Sequence, residues 1–257
     1  MLLRQKVSSL LKKVKQKFFS FNLYHRLFCA INHKTASLKD CSNEILIIRL
    51  DLIGDCSMFS GSMIQIKKLY SNCKINVICL KNTKCIFERI GCINKILTYD
   101  SNPNSINYKE IKKLQQELGK KKLKVLLQPQ TSRMKAADVL ASLIPAEEKI
   151  AIEDRTDNSS KEWKKKSQSY YSRIIPIPKG WRNEYEYYLA FLKGLGIQVE
   201  LKDIQPRLYF SVENKFKSRY FAIVPGASLL QRAWNAEKFA NVIVSIFKST
   251  GWLPVIL

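Results

Sequence analysis

Residues 45–55 read ILIIRLDLIGD, an apolar run with one arginine that ends in Asp51, Leu52, Ile53, Gly54 and Asp55. Apolar residues at nearly every position suit a strand covered on both faces, as in a parallel sheet between two layers of helix. Asp55 to Leu69 reads as the helix that follows. The alternation then continues, with strands at Ile75 to Leu80 (INVICL), Lys95 to Tyr99 and Val125 to Gln128. A short helix at Lys84 to Ile90 and a longer one at Tyr108 to Leu118 fall between them. Strands and helices taken in turn imply an α/β fold on a parallel sheet.

Upstream of this run, MLLRQKVSSLLKKVKQKFF sets Leu3, Val7, Leu10, Leu11, Val14 and Phe18 at helical spacing among Lys6, Lys12, Lys13, Lys15 and Lys17. Two readings of this basic arm, residues 1–43, stand. It lies on anionic lipid headgroups, or it is a solvated helix packed on its own protein. Downstream, Arg155 to Gly180 is polar and aperiodic and reads as a long surface loop. A helix from Asn183 to Leu195 is closed by Gly196, and Asp203 to Pro206 reads as a linker between domains.

A second αβ pattern begins at Arg219. Phe221 to Val224 is its strand, Pro225 and Gly226 break it, and a helix starts near Asn235 as cap with Glu237 in the first turn. Phe239, Val242, Ile243, Ile246 and Phe247 mark its apolar face before Gly251. Leu253 to Leu257 reads as the next parallel strand, one that needs neighbours and a covering helix. The expected domains are therefore the arm at 1–43, an amino-terminal lobe at 44–205, and an incomplete second lobe at 206–257. On that reading the chain as given is a truncated, inactive fragment.

Composition narrows the partners. In 257 residues, 44 Lys and Arg face 21 Asp and Glu, a net charge of +23, so anions are the natural ligands. No run of about eighteen apolar residues exists to span a bilayer. The seven cysteines form no CxxC pair and follow no secretion signal, which fits a reducing cytoplasm. His25, Cys29 and His33 would sit at i, i+4 and i+8 on a helix. The outer two would be about 12 Å apart along its axis, so one metal ion cannot take all three.

Two stretches offer chemistry. At Gly54 and Asp55 a glycine-containing turn presents a carboxylate at the carboxyl end of a central strand, where open α/β sheets place their ligands. A general base is useful there; the alternative reading is that Asp55 merely caps its helix by accepting backbone N–H bonds. At Pro225-Gly226-Ala227-Ser228, followed by Arg232 and Trp234, free backbone N–H groups, a hydroxyl and a guanidinium precede a helix. That arrangement suits a phosphate or diphosphate, and equally an ordinary strand-to-helix connection. Neither stretch matches the P-loop or the GxGxxG fingerprint.

Together, in order, these stretches carry a resemblance. ILIIRLDLIGDCSMFSGSMIQIKKLYSNCKINVICL (45–80) resembles the opening strand, turn, helix and second strand of glycosyltransferase family 9, the ADP-heptose:lipopolysaccharide heptosyltransferases. VPGASLLQRAWNAEKFANVI (224–243) resembles the opening of that family's second lobe, and VLLQPQTSRMKAADVLASLIP (125–145) and YEYYLAFLKGLGI (185–197) fall in the family's order between them. The resemblance implies a GT-B architecture of two Rossmann-like lobes, an inverting transfer without metal or cofactor, and a nucleotide-sugar donor such as ADP-heptose. The implied acceptor is a lipopolysaccharide or other cell-surface glycan, met in the cytoplasm at the inner face of the membrane. It also implies that Asp55 is the catalytic base, that Gly54 and Gly226 shape the active-site turns, and that Ser228 and Arg232 bind the donor phosphates. Arg232 stands where the family commonly has Lys, which changes the contact geometry. Ser60 and Gly61 stand where it often has Thr and Pro.

Two other readings compete. A basic nucleic-acid-binding module would explain the charge, but no RNP, KH or zinc-finger pattern appears and the lysines are dispersed, so nucleic acid is not an expected partner. A catalytically idle scaffold at a membrane is the other.

Overall fold

The computed structural model describes residues 41–119, 121–180, 183–209, 218–227 and 230–257. The basic arm through residue 40, with His25, Cys29 and His33, lies outside the described residues, as does Ser228. The described residues divide into two units, one through Tyr209 and the other from Ser218 onward.

The first unit is a six-stranded parallel sheet. Its strands are β1 (Cys41–Arg49), β2 (Lys74–Leu80), β3 (Ile93–Tyr99), β4 (Lys122–Gln128), β5 (Ala146–Ile152) and β6 (Arg173–Ile175), in the spatial order β3-β2-β1-β4-β5-β6. Every neighbouring pair is parallel. The helices are α1 (Ile53–Leu69), α2 (Lys84–Phe87), α3 (Tyr108–Leu118), α4 (Lys135–Leu143), α5 (Lys161–Ser167) and α6 (Glu184–Gly194). This is the doubly wound, Rossmann-like order, which reverses direction between β1 and β4.

The central strand shows why ILIIRL reads as doubly buried. Ile45 and Ile47 enter one core with Phe59, Met63 and Ile66 of α1 and Tyr188, Phe191 and Leu192 of α6. Leu46, Ile48 and Leu50 enter the other with Ile111 and Leu114 of α3 and Ala137 and Leu140 of α4. Successive side chains of a strand point to opposite faces, so each helical layer takes alternate residues of one run.

The structure differs from three expectations. Arg155 to Gly180 is not an extended surface loop, because it contains α5 and β6 and buries Trp163 and Tyr171. The Trp163 indole and the Tyr171 hydroxyl both donate to the buried Asp138 carboxylate of α4, at 2.7 and 2.8 Å. Polar-tipped aromatics around a carboxylate leave no apolar periodicity to read. Asp203 to Pro206, read as a linker between domains, lies within the first unit just short of its end at Tyr209, with Ile204 fully buried and the Asp203 carbonyl accepting from Gln65 of α1. The strand start also differs, since Cys41–Asn43, assigned to the arm, already belong to β1.

The second unit is a βαβ turn of β7 (Tyr220–Ile223), α7 (Ala236–Thr250) and β8 (Leu253–Ile256), with β7 and β8 parallel. Asn235 caps α7 by accepting from the Glu237 and Lys238 N–H groups, and Gly251 ends it at φ +68°. Only a glycine takes that left-handed conformation without strain.

Candidate active site at the switch point of the sheet

In an open parallel sheet the crevice for ligands opens at the carboxyl ends of the two strands between which the order reverses, here β1 and β4. Asp55 stands there, the third residue of α1, half-buried. It does not cap the helix: the capping position is Leu52, which has no side chain to donate or accept. Among the described residues the Asp55 carboxylate makes no hydrogen bond or ion pair.

Its backbone, in contrast, is held twice. The Asp55 carbonyl accepts from Arg49 Nη2 at 3.2 Å and from the Tyr188 hydroxyl at 3.2 Å. Arg49 Nη2 also approaches the Tyr188 hydroxyl at 3.2 Å, so the three form a closed triangle. Arg49 is the fifth side chain of the apolar run and is 1% exposed, under the ring of Phe59 at 4.3 Å. A buried guanidinium needs a counter-charge, and Asp51 supplies it, Nε to Oδ2 2.6 Å. Burial opposes the Arg49 charge, but Asp51 and Tyr188 more than offset it and hold the pKa above the ordinary arginine value. Burial pushes Asp51 up to about 6; Arg49 pulls it down, while Asp55 and Glu184 push it further up.

On the β4 side, the buried Gln128 Oε1 accepts from the Gln130 N–H at 3.0 Å and orders the turn after the strand. Thr131 Oγ1 then donates to Glu184 Oε1 at 3.3 Å, linking that turn to the start of α6. Arg155 pairs with Glu184 at 3.6 Å and Asp157 at 2.9 Å and lies over the Tyr187 ring at 4.8 Å. Asp55 and Glu184 thus both act on the buried Asp51, and of the three carboxylates only that of Asp55 lacks a cationic partner among the described residues.

Neither a protein-family model nor a curated protein sequence matches the chain. Solved structures do. The glycosyl transferase family 9 structure from Veillonella parvula DSM 2008 aligns with a TM-score of 0.66 at 14% identity, over 83% of this chain and 61% of that one. The E. coli heptosyltransferase WaaC with ADP gives 0.60 at 13% identity, over 83% and 66%. The E. coli ADP-heptose lps heptosyltransferase II gives 0.58 at 14%, over 83% and 63%. The shared property is the fold. These neighbours are glycosyltransferases, and the chain spans between 61% and 66% of their lengths.

The other sequence-derived candidates are placed as follows. Gly54 is the second residue of α1, with no positive φ and open space where a Cβ would stand, so the turn itself does not demand glycine. Gly226 follows β7 in the second unit, also without a positive φ and in open space. Arg232 closes a short 3-10 turn, Leu230–Arg232, and is exposed; Trp234 beyond it packs edge-on against Phe239 at 4.9 Å. Arg49, Asp51, Tyr188, Thr131 and Glu184 were not singled out from sequence. A lone arginine inside ILIIRL was the one available signal, since a charge in a doubly buried strand must have a partner.

Proposed function

We propose that the chain contributes the acceptor-side lobe and the start of the donor-side lobe of an inverting, metal-independent glycosyltransferase. The observation that carries this is the Asp55 carboxylate, without a partner among the described residues, while its backbone is fixed at the switch point of a glycosyltransferase-like sheet. A general base must have its carboxylate free to meet the hydroxyl whose proton it takes.

The proposed step is a single displacement. The acceptor hydroxyl oxygen bonds to the anomeric carbon as the bond from that carbon to the nucleotide diphosphate breaks, and the hydroxyl proton passes to Asp55. The diphosphate leaves with its added charge. Ser228, Arg232, the backbone around Gly226 and the amino-terminal end of α7 are the groups proposed to receive it, a preorganised electrostatic role. The donor is read as a nucleotide-diphosphate sugar of the heptose class: the structural neighbour WaaC is described with ADP and with ADP-2-deoxy-2-fluoro heptose. The acceptor is read as a hydroxyl of lipopolysaccharide or another cell-surface glycan, met at the cytoplasmic face of the membrane with the basic arm against anionic lipid. No helix among the described residues is long and apolar enough to cross a membrane.

The test uses the protein as its own cells make it, given ADP-heptose and a deacylated glycan acceptor and followed by mass spectrometry. Asp55→Asn is expected to keep donor affinity and to lose transfer by about 100-fold or more, the usual contribution of a positioned base. Turnover at the wild-type rate in that variant would remove Asp55 from the role.

A further inference from the structure

The apolar surroundings of Arg49 raise a question that packing alone does not answer. Replacing a buried ion pair with apolar side chains of similar volume is often neutral or stabilising. A methionine or leucine would fill the space under Phe59 as well as a guanidinium does. What Arg49 and Tyr188 supply, and no apolar residue could, is two donors meeting on one acceptor, the Asp55 carbonyl. They come from β1 and α6, two elements that share one core with α1, so that residue is tied to both at a single atom. Asp51 holds the guanidinium from its other edge, and Phe59 and Tyr188 cover its faces, with ring centroids 4.3 and 5.4 Å away. The clasp grips only the backbone of Asp55 and leaves its carboxylate unengaged.

We propose that Arg49 and Tyr188 are positioning residues that act through the Asp55 main chain, fixing where its carboxylate meets the acceptor hydroxyl. This rests on the reading of Asp55 as the base. The expected consequence is a loss confined to the chemical step, because neither side chain is asked to touch donor or acceptor. Misplacement of a reacting group by about 1 Å can cost on the order of 100-fold in rate, and loss of one of two anchors moves the group less.

Tyr188→Phe is the decisive variant. It keeps the ring, and with it the edge-on contact with Phe59 at 5.1 Å, and removes only the hydroxyl. In the protein as its own cells make it, kcat is expected to fall about tenfold, with KM for donor and acceptor unchanged. In the Asp55→Asn background the same substitution should cause no further loss, because the group it positions is gone. A merely structural tyrosine would lower the residual rate in both backgrounds. Wild-type kcat in Tyr188→Phe, or an equal fall with and without Asp55, overturns the proposal. If Asp55→Asn alone retains full turnover, the base reading fails first, and the two failures are told apart by that single variant. Arg49→Lys, which keeps the charge and loses the fork, supplies the second arm. It should lower kcat in the Asp55 background only.

Discussion

Gly61, midway along α1, lies so close to the carbonyl of Gln205 that a Cβ added to it would stand 2.2 Å from that oxygen and 2.4 Å from the carbonyl oxygen of Ile204. Its neighbour Ser60 accepts from the Arg207 N–H at 2.8 Å and donates to the Ser57 carbonyl at 2.7 Å, and Gln65 Nε2 donates to the Asp203 carbonyl at 2.8 Å. One face of α1 therefore binds the backbone of residues 203–207. This close approach gives the reason for glycine at 61 and for a small hydroxyl side chain at 60. Gly61→Ala is expected to lower stability by about 1–3 kcal/mol, the usual cost of overpacking, even though alanine favours a helix. Urea denaturation measures it, and an unchanged or raised midpoint would show that the 203–207 segment yields without cost.

Asp138 presents the same kind of dependence inside the sheet unit. One buried carboxylate faces Arg133 Nε at 3.2 Å, the Trp163 indole and the Tyr171 hydroxyl. Asp138→Ala strands a guanidinium with no counter-charge, at an expected cost of about 3–5 kcal/mol. Hydrogen exchange should speed up first in α5 and β6, which the cluster ties to α4. Exchange that rises evenly across the sheet, or not at all, would contradict that local role.

These two clusters show what was and was not legible in the residues. The parallel sheet could be read because β1 is apolar on both faces, and α7 could be read from its Asn235 cap, its apolar stripe and Gly251. Helix α5 and strand β6 could not, since Trp163 and Tyr171 bury themselves by bonding to a carboxylate more than twenty positions away. Asp55 was legible from its place after a strand. The clasp on it was not, because Arg49 and Tyr188 are 139 positions apart and meet only through the folded topology.

Asp51 sets a pH dependence of stability with a definite sign. Its pKa is raised in the folded protein, from 3.8 to about 6, so the folded state holds the proton more tightly than the unfolded chain does. That contribution is complete below about pH 4 and is lost as the pH rises through about 6. In Asp51→Asn the position stays neutral at every pH, and the titrating groups remote from it cancel in the comparison. The stability of the wild type relative to Asp51→Asn should therefore fall as the pH rises from about 4 to about 7.5. Paired denaturant titrations at the two pH values test it. A difference that stays constant or grows with pH would mean that Arg49 keeps Asp51 ionised throughout.

Asp55 should behave in the opposite way to a structural carboxylate. Its side chain makes no hydrogen bond or ion pair among the described residues, and the position that caps α1 belongs to Leu52. The only stabilisation it offers the fold is its charge near the positive end of the helix, worth about 0.3–1 kcal/mol. Asp55→Asn should thus change stability by no more than about 1 kcal/mol, far less than Asp138→Ala, and leave the exchange pattern of α1 unaltered. The prediction separates two uses of an aspartate in a helix's first turn. One that serves the helix costs stability when its charge is removed, whereas one reserved for a substrate proton costs only rate. Calorimetry on Asp55→Asn beside the wild type decides between them, and a loss of several kcal/mol would make Asp55 a structural residue.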